Sequence, residues 1–449
     1  MKFKTILIIL ILNVPLYGQS IFEDALSTDS EEGATDQNAY ELNGYLRGAL
    51  YGGKESNRDR AQVKSQYAEV ALKLRIKKGN YGDGYTEIRY RNLRGYNSNI
   101  TEVELREAYI KAYIGHFDFH VGQQIVVWGR ADGFNPTDNI CPKDMLVYSP
   151  NEDDRRLGNF LFRSFYNMHP LRWEFIWVPL YVPSVMPTAN IIPMIPGMQN
   201  VYFGSSVDII TDRDFIGAIK LSIELPSFDG SVSYFNGFNP MPGLRTVFVD
   251  PSGSLMNVDP TAYRLHILGM DFSTVAWGNT GIRGEFAYRI PEEDPDSYTY
   301  IPYSDLQYTV GLDKGIGTVY SLIVQYIGRY VPDFTELTFP VFPADSTQIP
   351  VHEITLKNRM IARQQDRISH SISFRSAWSL MYETLDLELM GLYDFTTEEL
   401  FVRPKISYDI ADDLTVTAGA DIYAGPDDTL FGSIDSVLSA LFLELKASF

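Results

Sequence analysis

Residues 441–449 read LFLELKASF, and the alternation in this stretch decides the fold class. Leu441, Leu443, Leu445, Ala447 and Phe449 fall on one face of an extended strand, with Glu444, Lys446 and Ser448 on the other. Successive strand side chains point to opposite sides, so one face is greasy and the other wet. The same pattern recurs upstream. Ala68, Val70, Leu72, Leu74 and Ile76 alternate with Glu69, Ala71, Lys73, Arg75 and Lys77, and Ile282, Gly284, Phe286 and Tyr288 alternate with Arg283, Glu285, Ala287 and Arg289. Such segments run roughly 9–12 residues, the length a tilted strand needs to cross a bilayer. Strands of soluble proteins average about five or six. Full charges sit at mid-strand on the polar face, among them Arg89, Lys111, Glu174, Lys220 and Arg403. A water-filled lumen tolerates them and a dry sandwich core does not.

Strands are predicted near 41–51, 66–77, 84–92, 101–114, 117–127, 158–166, 171–178, 214–224, 230–237, 263–274, 280–289, 305–313, 318–327, 366–376, 384–393, 399–409, 414–423 and 437–448. Every second connection is tight, for example Gly115–His116, Pro226–Asp229 and Ala411–Asp413. Those between are mostly long: 129–157, 179–213, 238–262, 290–304 and 328–365. Short periplasmic turns and long extracellular loops mark an outer-membrane barrel. The expected fold is therefore all-β, a transmembrane antiparallel β-barrel of about 18 strands (16–18) over residues 41–449. Outward aromatics such as Tyr90, Trp173, Tyr288, Tyr308, Tyr326, Tyr393, Tyr408 and Phe449 are expected at the two membrane interfaces.

The chain stops at an aromatic residue, and here it resembles bacterial outer-membrane β-barrels, whose final strand ends in Phe. The resemblance implies that Phe449 is an assembly signal read by the barrel-assembly machinery, and that the barrel wall contacts outer-membrane lipid of a Gram-negative-type cell. Residues 1–18, MKFKTILIILILNVPLYG, read as a secretory signal peptide, with Lys2 and Lys4 before a short apolar run. Residues 19–40 are expected to form an acidic N-terminal stub. Removing the signal leaves 36 basic against 57 acidic side chains, about −21.

Composition narrows the function. A formal charge of −19 lacks the basic footprint of nucleic-acid binding. One cysteine, Cys141, excludes a disulfide framework. The mean hydropathy of −0.13 excludes a bundle of membrane helices. No GxSxG, HExxH or P-loop is present, and His116 and His120 would stand about 13 Å apart on a strand, so neither enzyme activity, metal nor cofactor is expected.

The most distinctive segment is 121–145, VGQQIVVWGRADGFNPTDNICPKDM. A strand is expected to end at Trp128 with Gly129 breaking it, and Asn135-Pro136 suits a helix cap. An acidic-basic run, Asn151 to Arg156, follows. With its GQQ, WGRAD and NPTD elements, the segment resembles the porin-like outer-membrane family that includes alginate-export-type barrels. That resemblance implies a loop near the pore, with Trp128, Arg130, Asp132, Asn135, Asp138, Arg155 and Arg156 as lumen or constriction residues. The alternative is a structural loop whose Arg–Asp pairs hold it folded.

Alternation places Arg75, Arg89, Lys111, Arg172, Arg283, Arg375 and Arg403 among some fifteen inward basic residues, against eight inward acids. A basic lumen focuses field on anions. The bland reading is that these arginines pair with acids to brace the wall. Loops 179–199 and 335–350 are apolar and proline-rich, which is unusual for segments facing water. They are expected to fold inward as a plug, to bind a hydrophobic substrate, or to meet a partner. The function expected is a porin or channel for passive diffusion of small hydrophilic solutes, anions or oligosaccharides. The alternatives are a channel for hydrophobic compounds and a plugged barrel with a structural or binding role. Oligomeric state is not legible.

Overall fold

In a computed structural model, residues 38–55, 58–95, 98–187, 200–204, 215–276, 278, 280–340 and 347–449 are described. The signal-peptide reading and nearly all of the stub lie outside them, as do 188–199 and 341–346 of the two apolar loops.

Eighteen strands form one closed antiparallel barrel. They are β1 (Asn38–Glu55), β2 (Arg58–Lys78), β3 (Gly82–Gly95), β4 (Ser98–Ile114), β5 (Phe117–Gln124), β6 (Asn159–Met168), β7 (Leu171–Trp177), β9 (Gly217–Leu225) and β10 (Phe228–Phe238). The rest are β13 (Arg264–Ala276), β14 (Thr280–Pro291), β15 (Asp305–Ile316), β16 (Tyr320–Tyr330), β17 (Ile368–Leu380), β18 (Leu385–Asp394), β19 (Glu399–Ala411), β20 (Leu414–Ala424) and β21 (Ala440–Ser448). Each pairs with its neighbour in chain order, and β1 closes on β21 from Tyr45↔Ser448 to Gly52↔Leu441. Three short strands, β8 (Val201–Phe203), β11 (Gly243–Val249) and β12 (Met256–Thr261), form a separate sheet.

All eighteen expected strands are present. One rim carries only tight turns; the other carries the long connections. Three connections on that second rim are short as well: 56–57, 96–97 and 395–398. The first two join strands of 14–21 residues, which stand taller than the rest of the wall.

The alternation follows from what each face meets. Leu42, Leu46, Leu72, Leu74, Val103, Ile110, Leu268, Leu312, Leu441 and Leu443 are exposed on the outer surface. Their neighbours Arg47, Glu69, Glu87, Arg89, Glu285 and Arg403 point inward and are buried. Among the expected girdle aromatics, Tyr90, Tyr288, Tyr326, Tyr408 and Phe449 are exposed.

Three expectations are corrected. Strand β5 ends at Gln124 rather than near 127, and no helix follows Asn135-Pro136. The segment makes one turn there, with Asp138 N–H donating to the Asn135 carbonyl at 3.1 Å. The last strand begins at Ala440, because 430–438 forms a helix, α2 (Leu430–Leu438), whose cap Thr429 accepts from Gly432 N–H at 3.3 Å. A second helix, α1 (Gln348–Ala362), lies within the long connection 328–365, and it ends where Arg363 turns left-handed at φ 52°.

Part of the lumen is packed with apolar side chains. Val126, Trp128, Ile140 and Cys141 from the β5–β6 connection pack on Leu161, Ile176, Phe235, Leu265 and Ile267 of the wall. Helix α1 contributes Ile354 to the small sheet, against Leu244, Met256 and Val258.

Candidate functional site: the lumen loop and its cavity

The connection 125–158 leaves the rim and turns into the lumen. Gly129 makes the turn possible: its φ is +102°, and a Cβ there would fall 2.6 Å from the Glu285 carboxylate oxygens. Glu285 of β14 accepts from the Arg130 and Ala131 N–H groups and from Thr137 Oγ1. Further along, Arg375 of β17 meets Asp132 at 2.8 Å. Strands β5 and β17 stand nine places apart in a ring of eighteen, so the loop reaches across the lumen to the opposite wall.

Its return leg is pinned elsewhere. Asp154 pairs with Arg47 of β1 at 2.6 Å and Arg89 of β3 at 3.3 Å, and accepts from Ser149 Oγ at 2.5 Å. Burial alone would raise the Asp154 carboxyl, but Arg47 and Arg89 outweigh it and hold the group well below the usual carboxylate range. Arg106 of β4 donates to the Asp153 carbonyl at 2.7 Å, and Arg403 of β19 donates to the Pro150 carbonyl at 3.4 Å. Loop and wall thus share one polar network.

The seven loop residues singled out from sequence divide by partner. Trp128 is buried and donates through Nε1 to Glu174 at 3.3 Å. Arg130 bridges to Asp271 at 2.6 Å, and Asp132 to Arg375. Asp138 and Arg156 pair with each other at 2.5 Å, bracing the loop internally. The Asn135 Oδ1 is buried without a hydrogen-bond partner. Arg155 donates to the Val147 carbonyl at 3.1 Å and lies over the Tyr148 ring. Burial pushes Asp132 above the usual carboxylate range even with Arg375 beside it, and burial pushes the Cys141 thiol up to about 12.

Of the seven inward basic residues, five meet carboxylates. Arg89 meets Glu87 at 2.7 Å, Lys111 meets Asp83 at 3.7 Å, and Arg283 meets Asp313 at 3.0 Å. Arg375 meets Asp132, and Arg403 meets Asp421 at 2.5 Å. Arg75 and Arg172 lie over the rings of Tyr85 and Phe165. The inward tally grows on both signs: Asp83, Asp271, Asp305, Asp313 and Asp421 face inward beyond the eight expected acids. Arg47, Arg106, Arg163 and Arg329 do so beyond the expected basic residues, each against a wall carboxylate.

Between the loop, α1, α2 and strands β16–β20 lies a cavity of about 500 Å³. Its lining includes Met145, Met186, Met241, Met360 and Met390, with Phe134, Phe374, Phe401 and Phe431. The charged side chains around it are Arg155, Lys357, Arg363, Arg375 and Arg403 against Asp132 and Glu152. The described part of the first apolar loop folds inward: Met186 and Pro187 reach the cavity, and Val185 bridges to Asp144. In the second, Phe339 stacks edge-on against His352 and stays 56% exposed.

Sequence reasoning missed Arg47, Asp154, Lys357 and Arg363, and it placed Glu285 on the inward face without its role as the loop's anchor. Asp154 lies within the acidic-basic run already noted. The apolar lining left a signal too, since alternation lapses at Leu322-Ile323-Val324 and Leu389-Met390, where both faces are greasy.

No protein-family model and no curated protein matches this sequence. Solved structures do match its fold. Acinetobacter baumannii OccAB3 aligns with a TM-score of 0.53 at 11% identity, over 91% of this chain and 99% of that one. OccAB4 of the same organism aligns at 0.52 and 10%, over 91% and 98%. Pseudomonas aeruginosa OccK3 (OpdO) aligns at 0.50 and 10%, over 91% and 95%. The chain has the closed 18-stranded barrel fold of outer-membrane porins.

Proposed function

We propose that this chain is an outer-membrane channel for passive diffusion of small solutes, narrowed by the loop 125–158. The observation that carries the reading is the loop's path from β5 to Arg375 on the opposite wall, inside a barrel whose outer surface is a continuous apolar band. An apolar exterior of this extent is unstable in water and matches lipid. A barrel of this strand number encloses an aqueous lumen unless it is plugged.

On this reading the tight turns face the periplasm and the long connections face outward. Residues 1–18 act as the secretory signal, and Phe449 as the assembly signal. Trp128, Arg130, Asp132, Asn135, Asp138, Arg155 and Arg156 shape the constriction, directly or by holding the loop. Kinship with alginate-export-type barrels rests on the motif at 121–145. Around the cavity five cations face two anions, which supports anions over cations as permeants.

Planar-bilayer recording of the refolded barrel tests this. We expect stepwise conductance with a reversal potential favouring anions in a salt gradient. Absence of conductance would overturn the channel reading, and cation selectivity would overturn the solute preference.

A further inference from the structure

The cavity beside the loop does not suit a sugar or an inorganic ion. Hydroxyl groups placed against Met360, Met390 and Phe374 would lose water without gaining hydrogen bonds. A bare anion would leave that apolar surface uncovered. Two of the cations are already satisfied, Arg375 by Asp132 and Arg403 by Asp421. Lys357 and Arg363 differ: among the described residues no carboxylate lies within 4 Å of either. Lys357 donates to Ser433 Oγ at 3.3 Å and reaches Met360 Sδ at 3.6 Å. The Arg363 guanidinium lies between two rings, 6.0 Å from Phe134 of the loop and 5.9 Å from Phe431 of α2. Glu353 and Asp428 act on Lys357 only from beyond contact distance. The loop, α1 and α2 thus converge on Arg363, a cation with aromatic faces beside it and no carboxylate within 4 Å among the described residues.

We propose that this cavity binds small amphipathic anions, with an aromatic or short aliphatic body against the methionine and phenylalanine lining and one anionic head on Lys357 and Arg363. The inference rests on the channel reading for its role, since it places a selective station on the permeation path. Methionine side chains adapt to varied apolar shapes, so the body is read loosely and the head strictly. The volume suits a small molecule, within the roughly 300–1,000 Å³ of ordinary ligand pockets.

The test is a fluorescence titration of naphthalene-2-carboxylate into the full barrel in lipid nanodiscs, with empty nanodiscs as the blank. We expect saturable binding. The uncharged 2-naphthylmethanol should bind about tenfold more weakly, as loss of a charged hydrogen bond implies, and gluconate should not compete. The double variant Lys357→Gln/Arg363→Gln should weaken naphthoate about tenfold, and Met390→Trp should abolish binding by filling the cavity. Heat-modifiable migration on gels checks that each variant folds; should one not fold, the three-ligand comparison on the unaltered barrel decides alone. Binding no greater than to empty nanodiscs, equal affinity for the alcohol, competition by gluconate, or unchanged affinity in folded variants would each overturn the inference. Conductance is read separately. A barrel that conducts but does not bind refutes this inference and keeps the channel. One that binds but does not conduct refutes the channel and leaves a ligand pocket.

Discussion

At the scale of single residues, the lumen loop depends on two carboxylates of different kinds. Glu285 is fully buried and holds the loop by accepting from backbone N–H groups, whereas Asp154 holds it by pairing with Arg47 and Arg89. Removing one partner of a buried pair costs about 3 kcal/mol, because the remaining charges stay desolvated. Asp154→Asn should therefore loosen the return leg by about that amount, read as faster protease cleavage within 125–158 and noisier single-channel current. Glu285→Gln keeps an acceptor but loses the charge, so its effect should be smaller, about 1–2 kcal/mol by the same readout. The Asp154 anchor also carries a pH signature. Its carboxyl is held below the ordinary aspartate value of 3.8, so its contribution is fully present above that value and is lost as pH falls through the lower folded value. Protease resistance of the loop should hold from neutral pH down to about pH 4 and decline below it. Asp154→Asn should show no such decline, and an equal decline in the variant would place the acid-sensitive group elsewhere.

At the scale of elements, the seam between β1 and β21 is where the sheet becomes a barrel. Gly44 and Phe449 exchange backbone hydrogen bonds at 2.8 and 3.0 Å, and the Phe449 ring lies over Gly44, 2.6 Å from where a Cβ would stand. An aromatic ring covering a strand glycine is a recurrent way of pinning register. Gly44→Val would meet the ring and also the Ala71 carbonyl oxygen of β2, so the ring itself is read by Phe449→Ala, which should cost about 2–3 kcal/mol. We expect a lower yield of the heat-modifiable form and a lower melting temperature, and a variant as stable as the parent would show that the ring does not pin the seam. The final strand was legible in advance because LFLELKASF alternates without interruption, and alternation marked the other barrel strands too, with lapses such as Leu322-Ile323-Val324 in β16 and Leu389-Met390 in β18. Elements inside the rim were not. Helix α1 and the sheet of β8, β11 and β12 are stabilised by each other through Ile354, Leu244 and Val258, contacts between loops far apart in sequence. The loop 125–158 was recognisable by its residues, but its partners were not: nothing local tells Asp132 that Arg375 faces it. The inward acids were undercounted for a similar reason. Asp271 and Asp305 lie on the polar face of strands whose other residues there are mostly uncharged, so period alone gave them no weight.

At the scale of the whole molecule, the net charge of −19 describes no single surface. The inner wall is built from ion pairs such as Arg91–Glu69, Arg289–Asp305 and Lys405–Glu388, which largely cancel at a distance. What a permeating ion feels is then the local excess of cations around the cavity, where Lys357 and Arg363 have no carboxylate within 4 Å among the described residues. Screening sets how far that excess acts. The Debye length is about 10 Å in 0.1 M salt and about 3 Å in 1 M. A basic surplus spread over the whole wall would retain selectivity at high salt, because permeating ions would pass within 3 Å of some cation along most of the lumen. A surplus confined to one station would not. Anion preference in a fixed concentration gradient should therefore be clear with the dilute side at 0.1 M KCl and should fall toward unity when both sides are near 1 M. Lys357→Gln/Arg363→Gln should bring the low-salt value down to the high-salt one. Selectivity that persists unchanged at 1 M would mean that the wall pairs do not cancel and that the field originates along the whole lumen.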